Sequence, residues 1–241
     1  MLKNILFMSA LLMPTFSFTQ DLLDELGDDE ETAEVGRVSA SFKNSRVVNL
    51  QSIETVAPGV LDFRISHRFG RINGGAYDLF GLDNAAMRMA FEYGLTDRFT
   101  LAIARSAYEK TYDGALKYKI LWQTKNSNEM PISLVWYSSI SYNSLRYTGL
   151  PYERTFDTRL NYVHQLIIGR KFNNSFTLEV LPTLIHRNFV ETREEENTVY
   201  ALSAAGRYKL NQRLAINAEY SYVLPDQLIP EFKNSLSVGV D

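Results

Sequence analysis

From Leu61 onward, apolar and polar residues change places at every step, and this single alternation constrains the chain more than anything else in it. A period of two puts one residue class on each face of a β-strand, and no helix accommodates it. Leu61, Phe63, Ile65, His67 and Phe69 alternate with Asp62, Arg64, Ser66 and Arg68; Met87, Met89, Phe91 and Tyr93 alternate with Arg88, Ala90 and Glu92. Phe99, Leu101 and Ile103 are spaced in the same way, as are Leu116, Tyr118, Ile120 and Trp122, which alternate with Lys117, Lys119, Leu121 and Gln123. Further runs lie at 132–142, 155–170, 176–188, 198–209, 214–223 and 235–241. Ten strands result, most of them near the 9–11 residues that cross a bilayer at a tilt.

The connections sharpen the reading. Gly70–Ala86, Ala107–Asp113, Asn143–Arg154, Asn188–Asn197 and Pro225–Lys233 are mostly long. Gly94–Arg98, Lys125–Pro131, Lys171–Ser175 and Leu210–Arg213 are mostly short. Long and short take turns, as in a barrel with tight turns on one rim and loops on the other. Tyr93, Phe99, Trp122, Phe172, Phe176, Tyr208 and Tyr220 fall near strand ends, where aromatic rings sit at headgroup level. A soluble sandwich also alternates, but it explains neither the loop asymmetry nor the aromatic rims. The expected fold is all-β, an antiparallel up-and-down transmembrane β-barrel with ten visible strands.

Before the strands, residues 1–19 read as a signal peptide, with Lys3, an apolar stretch from Ile5 to Met13 and a cut after Thr19. The expected location is the bacterial outer membrane. Residues 20–57 read as an acidic tail and linker, and 58–241 as the barrel. The tail holds eight acids between Asp21 and Glu34 and no base. Taking Lys3 from the 25 basic residues leaves 24, and taking the tail from the 28 acids leaves 20, so residues 35–241 carry about +4. The stretch from Val35 to Pro58 is mixed and polar, with one short strand expected around Arg46–Leu50.

The segment Pro58-Gly59-Val60-Leu61-Asp62-Phe63-Arg64-Ile65-Ser66-His67-Arg68-Phe69-Gly70 resembles the opening strand of a Bacteroidota β-barrel family, domain of unknown function 5777. Tyr93-Gly94-Leu95-Thr96-Asp97-Arg98 resembles its next turn. The resemblance implies an outer-membrane barrel over roughly residues 45–241, and no reaction or ligand. Outer-membrane barrels usually end on an aromatic residue, whereas this chain stops at Ser237-Val238-Gly239-Val240-Asp241. The expectation is a sequence cut short, with twelve strands in the complete protein; ten strands also return the chain to the periplasmic side.

No cysteine is present, which excludes thiolate metal sites. There is no His-Glu-x-x-His, Gly-x-Ser-x-Gly or phosphate-binding glycine loop, so no catalytic, cofactor or metal residue is assigned. Of three histidines, His67 and His186 fall at outer strand ends. His164 falls mid-strand on the apolar stripe, where a bulge near Val163–Ile168 would turn it inward. Beside a serine of the next strand it would suit a lipid hydrolase, the least favoured class.

The inward stripe is expected to carry Arg64, Arg68, Arg88, Lys117, Lys119, Arg159, Arg187 and Arg207 against Asp62, Glu92, Asp157, Glu179 and Glu219. Either these charges pair across a sealed lumen or they line a narrow, slightly cationic passage. Residues 21–34 of the acidic tail would then enter or cap the periplasmic mouth and pair with Arg64, Lys117 or Arg88, or else stay solvated and bind nothing. The loop Glu191–Glu196 is a charge run that would gather divalent cations or simply stay solvated. The favoured function is a passage for ions or small solutes, and the alternative a closed scaffold for a periplasmic or extracellular partner. Outer-membrane lipid is the expected surrounding, and the charge balance excludes a nucleic-acid partner.

Overall fold

The computed structural model describes residues 36–70, 72–125, 130–146, 154–225, 227 and 233–241. The expected signal peptide and acidic tail lie outside them. Ten strands form one sheet: β1 (Leu61–Arg68), β2 (Ala86–Gly94), β3 (Phe99–Ser106), β4 (Thr111–Leu121), β5 (Ser133–Asn143), β6 (Leu160–Lys171), β7 (Phe176–Arg187), β8 (Thr198–Lys209), β9 (Ala215–Val223) and β10 (Ser235–Val240). Each strand pairs antiparallel with the next in sequence, the up-and-down order that the alternation predicts. Among the described residues no helix is long and apolar enough to cross a membrane.

The two faces are sorted in reverse of a soluble protein. Ile103, Val238 and Leu236 are 66%, 65% and 71% exposed, and Phe63, Phe91, Leu101 and Ile140 join them on the outer face. Glu92, Lys117, Lys119, Glu179, Arg207 and Glu219 are buried on the inner one. Only a wall with hydrocarbon outside and a polar interior is stable this way round. The sheet curls until its two edge strands, β1 and β10, are joined through the exposed Asn49, whose side chain donates to Ser237 of β10 and accepts from Arg68 of β1.

Residues 36–57 run through the interior, leaving a cavity of about 460 Å³ between Phe42, Ser45 and Glu54 of that segment and Arg207 and Asp241 of the wall. The stretch read from composition as a linker is no solvated spacer: from Gly36 it enters beside the β4–β5 connection, with Val38 N–H donating to Gln123 O and Lys125 N–H to Gly36 O. That connection is the longest at the short-turn rim, and it carries this entry. The chain folds back on itself with an Arg46–Gln51 bridge, at the place of the expected short strand. It leaves along β2, where Pro58 bridges Gly94, and runs into β1. Phe42 and Ile53 pack on Val135, Ile167 and Leu181 of the wall in an apolar cluster. Burying each of these two side chains contributes about 2 kcal/mol.

Three wall glycines make room for this plug. A Cβ on Gly94 would stand 2.1 Å from the Ala57 carbonyl oxygen, one on Gly169 2.7 Å from Ile53 Cγ2, and one on Gly239 3.0 Å from Val48 Cγ2. Two other expectations are corrected. The β5–β6 and β6–β7 registers hold a constant offset through Val163–Ile168, so no bulge turns His164 inward, and the register shift falls instead between Lys119 and Leu121. Asp157–Arg159 form a 3-10 turn ahead of β6 rather than part of its inner face.

A charge on the outer face separates a membrane wall from a soluble one. Ile103→Lys is expected to cost about 2–4 kcal/mol in vesicle refolding, against under about 0.5 kcal/mol on a water-exposed strand. The folded fraction on a heat-modifiability gel across a urea series measures it.

Candidate functional site

Inside the barrel, the charged groups of the wall are answered by the main chain of the plug. Lys117 Nζ donates three hydrogen bonds, to the carbonyl oxygens of Ser45 (2.8 Å), Ser52 (3.1 Å) and Glu54 (3.1 Å). An ammonium has three protons, so this one is saturated. Across the lumen, Glu219 accepts the successive N–H groups of Val48, Asn49 and Leu50 at 3.2, 2.9 and 3.0 Å, and the Asn49 side chain at 2.9 Å. Consecutive amides converging on one carboxylate form an anion nest, here closing the tip of the hairpin.

Other contacts complete the seat. Glu92 accepts from Ser45 Oγ at 2.6 Å, and Glu179 Oε2 accepts from Ile53 N–H at 3.0 Å. Glu179 Oε1 bonds nothing among the described residues, and neither does Asn217 Oδ1 on β9. Lys119 lies 3.8 Å from Glu54, whose other oxygen accepts from Ser41 and Phe42 N–H. Arg46 sits between Glu92 at 3.9 Å and Arg88, with its Nε unbonded. Burial, and then the neighbouring Arg88, pull its guanidinium below the ordinary value, while its Nη1 donates to Asn49 O at 3.1 Å.

The remaining members of the expected inward stripe divide into two groups. Arg64 pairs with Asp62 at 2.8 Å and reaches Ser45, and Arg68 reaches Asn49. Arg88 pairs with Asp113 on β4, and Arg207 with Asp241 at 3.0 Å. The three cations expected to receive the acidic tail, Arg64, Lys117 and Arg88, are thus engaged within the described residues. Arg159, by contrast, is no wall residue: it clamps the long-loop rim by donating to the carbonyls of Asn143, Leu145 and Arg154. Asp157 stands in the same turn, its carbonyl accepting from Asn188. Arg187 pairs with Glu195 of the acidic loop at 2.9 Å. Among the described residues no three His, Asp or Glu side chains gather as a metal site.

Sequence reasoning missed the plug's own contributors, Ser45, Asn49, Ser52, Ile53 and Glu54. Their signal lay in the wall: glycines on the inward stripe at Gly94, Gly169 and Gly239 remove side chains where nothing else on that stripe requires it.

The chain belongs to the family described as a membrane bound beta barrel domain of unknown function (DUF5777), which it matches over residues 42–241. The matched region begins at Phe42 and so takes in the plug from that residue on. No curated protein matches the chain.

The nest makes a measurable claim. Glu219→Gln puts an amide NH₂ among three N–H donors and should weaken the hairpin tip by about 2 kcal/mol. Amide hydrogen exchange at Val48, Asn49 and Leu50 should then quicken roughly thirtyfold. Exchange in β5–β7 should not change.

Proposed function

We infer that this protein is a narrow outer-membrane passage for ions or small solutes, shut at rest by residues 41–56 and opened when that segment withdraws. One observation carries the reading: Lys117, Glu92, Glu179 and Glu219 bond to the plug rather than to each other. A lumen meant to stay sealed is satisfied by wall charges paired across it. A lumen whose charges are met by one removable segment is left hydrated and ionic when the segment leaves. Mixed charges of that kind admit small ions and exclude larger or apolar solutes.

The N-terminal signal delivers the chain to the outer membrane in this reading. The acidic tail precedes the plug in sequence, and a basic periplasmic partner that bound it would pull on the plug. Phe42 and Ile53, seated on the apolar cluster, favour a second reading in which the plug never leaves and the barrel is a scaffold.

Conductance with a tethered plug distinguishes the two. The chain has no cysteine, so Ile53→Cys with Gly169→Cys gives one disulfide between plug and wall. Reduced protein in a planar bilayer should show voltage-induced openings, and oxidation should abolish them. Openings that persist after oxidation place the path elsewhere. Silence of both forms, and of Glu219→Gln, favours the scaffold.

A further inference from the structure

Away from its rims, the outer face carries a polar pair, among the described residues, that the plugged lumen does not explain. Ser138 on β5 and His164 on β6 are direct cross-strand partners, and Ser138 Oγ lies 2.9 Å from His164 Nδ1. Register places them in a transverse row of outward side chains, Leu101, Leu116, Ser138, His164, Leu184 and Tyr200. Leucines thus flank the pair on both sides. Ionisable and hydroxyl groups on a lipid-facing wall are expensive, and two more leucines would serve packing better.

Depth is the second observation. Tyr162, two residues towards the long-loop end of β6, faces outward with His186, and Tyr142 stacks on Phe156 at the same rim. Such aromatics mark the headgroup level. At about 3.3 Å per residue and a tilt of about 40°, His164 lies roughly 5 Å beneath Tyr162 along the membrane normal. Acyl chains join their headgroups at this depth, through ester linkages. Gly114, diagonal to Ser138 on β4, has no side chain and leaves a shallow notch on the same face, with only Ile140 near its Cβ position.

We propose that Ser138 and His164 are a nucleophile and its base on the membrane-facing wall, acting on carboxylic esters of lipid acyl chains. With Nδ1 accepting the serine proton, the imidazole's own proton sits on Nε2, which has no protein partner among the described residues. Ser138 Oγ attacks the ester carbonyl carbon as its proton passes to His164 Nδ1. The ester C–O bond breaks, the alcohol leaves with that proton, and an acyl-serine remains. Water then attacks the acyl carbon, gives its proton to Nδ1 and releases the fatty acid, returning the proton to Ser138. Among the described residues no carboxylate bonds His164, so turnover is slow. The similar contact at the β7–β8 rim, His186 Nδ1 to Thr198 Oγ1 at 2.8 Å, lies at the strand ends, where a polar pair is ordinary; it provides a control.

The test uses the full mature chain in phosphatidylethanolamine vesicles, treated with an alkyl fluorophosphonate and mapped by mass spectrometry. Ser138 should be labelled, and His164→Ala should cut labelling at least a hundredfold with the serine still present. His164→Gln, which keeps a hydrogen bond to the serine, should be equally inactive. His186→Ala should label like the unaltered chain. Fatty-acid release should follow the same order. Vesicles containing lipopolysaccharide show whether its acyl esters are used as well. Each variant's fold is verified by heat-modifiability. No label on Ser138 in folded protein overturns the proposal, as does labelling indifferent to His164, which would leave the pair as mutual satisfaction of two polar groups.

Discussion

The hydrogen bonds between wall charges and plug backbone determine the rest of the architecture. A rolled sheet with hydrocarbon outside must turn its polar residues inward, and ten strands enclose too much space for side chains alone to fill. Lys117 and Glu219 solve this from opposite signs: one ammonium saturated by three carbonyls, one carboxylate by three amides. Both bind main chain, which every residue possesses, and so fix the path of the hairpin more than its sequence. Glycines at the contacts follow, because backbone reaches a wall this closely only where the wall lacks a Cβ.

The strands were legible in the sequence, because a membrane wall writes its two solvents into alternate residues. Leu61 to Arg68 and Met87 to Tyr93 could be assigned face by face from chemistry alone, and the structure gives those runs the same faces. Asp157 and Arg159 failed for a local reason. At a rim the alternation continues in composition after the strand has ended, and a 3-10 turn places side chains by a different period.

The plug was illegible because the ordinary rule was applied in the wrong medium. Polar, unperiodic stretches are read as solvated, since a water-soluble core rejects them. Inside a polar lumen the same composition is what packs: Ser52 and Gln51 are buried, and Ser45 bonds Glu92. The wall held the compensating clue, in its inward glycines. His164 was legible as a misfit on the apolar stripe. Its partner Ser138 was not, because the register between β5 and β6 cannot be read through the long loop that joins them.

The nest, the glycine contacts and the closed lumen all require the plug to be seated in the membrane-inserted protein. Ser52, fully buried, tests this directly when replaced as Ser52→Cys, because the chain has no other thiol. With the plug in place, the Ser52→Cys thiol in vesicles should resist a water-soluble maleimide until the barrel is denatured. The Asn211→Cys thiol, on an exposed turn, should react at once. Equal rates for the two would contradict a plugged lumen.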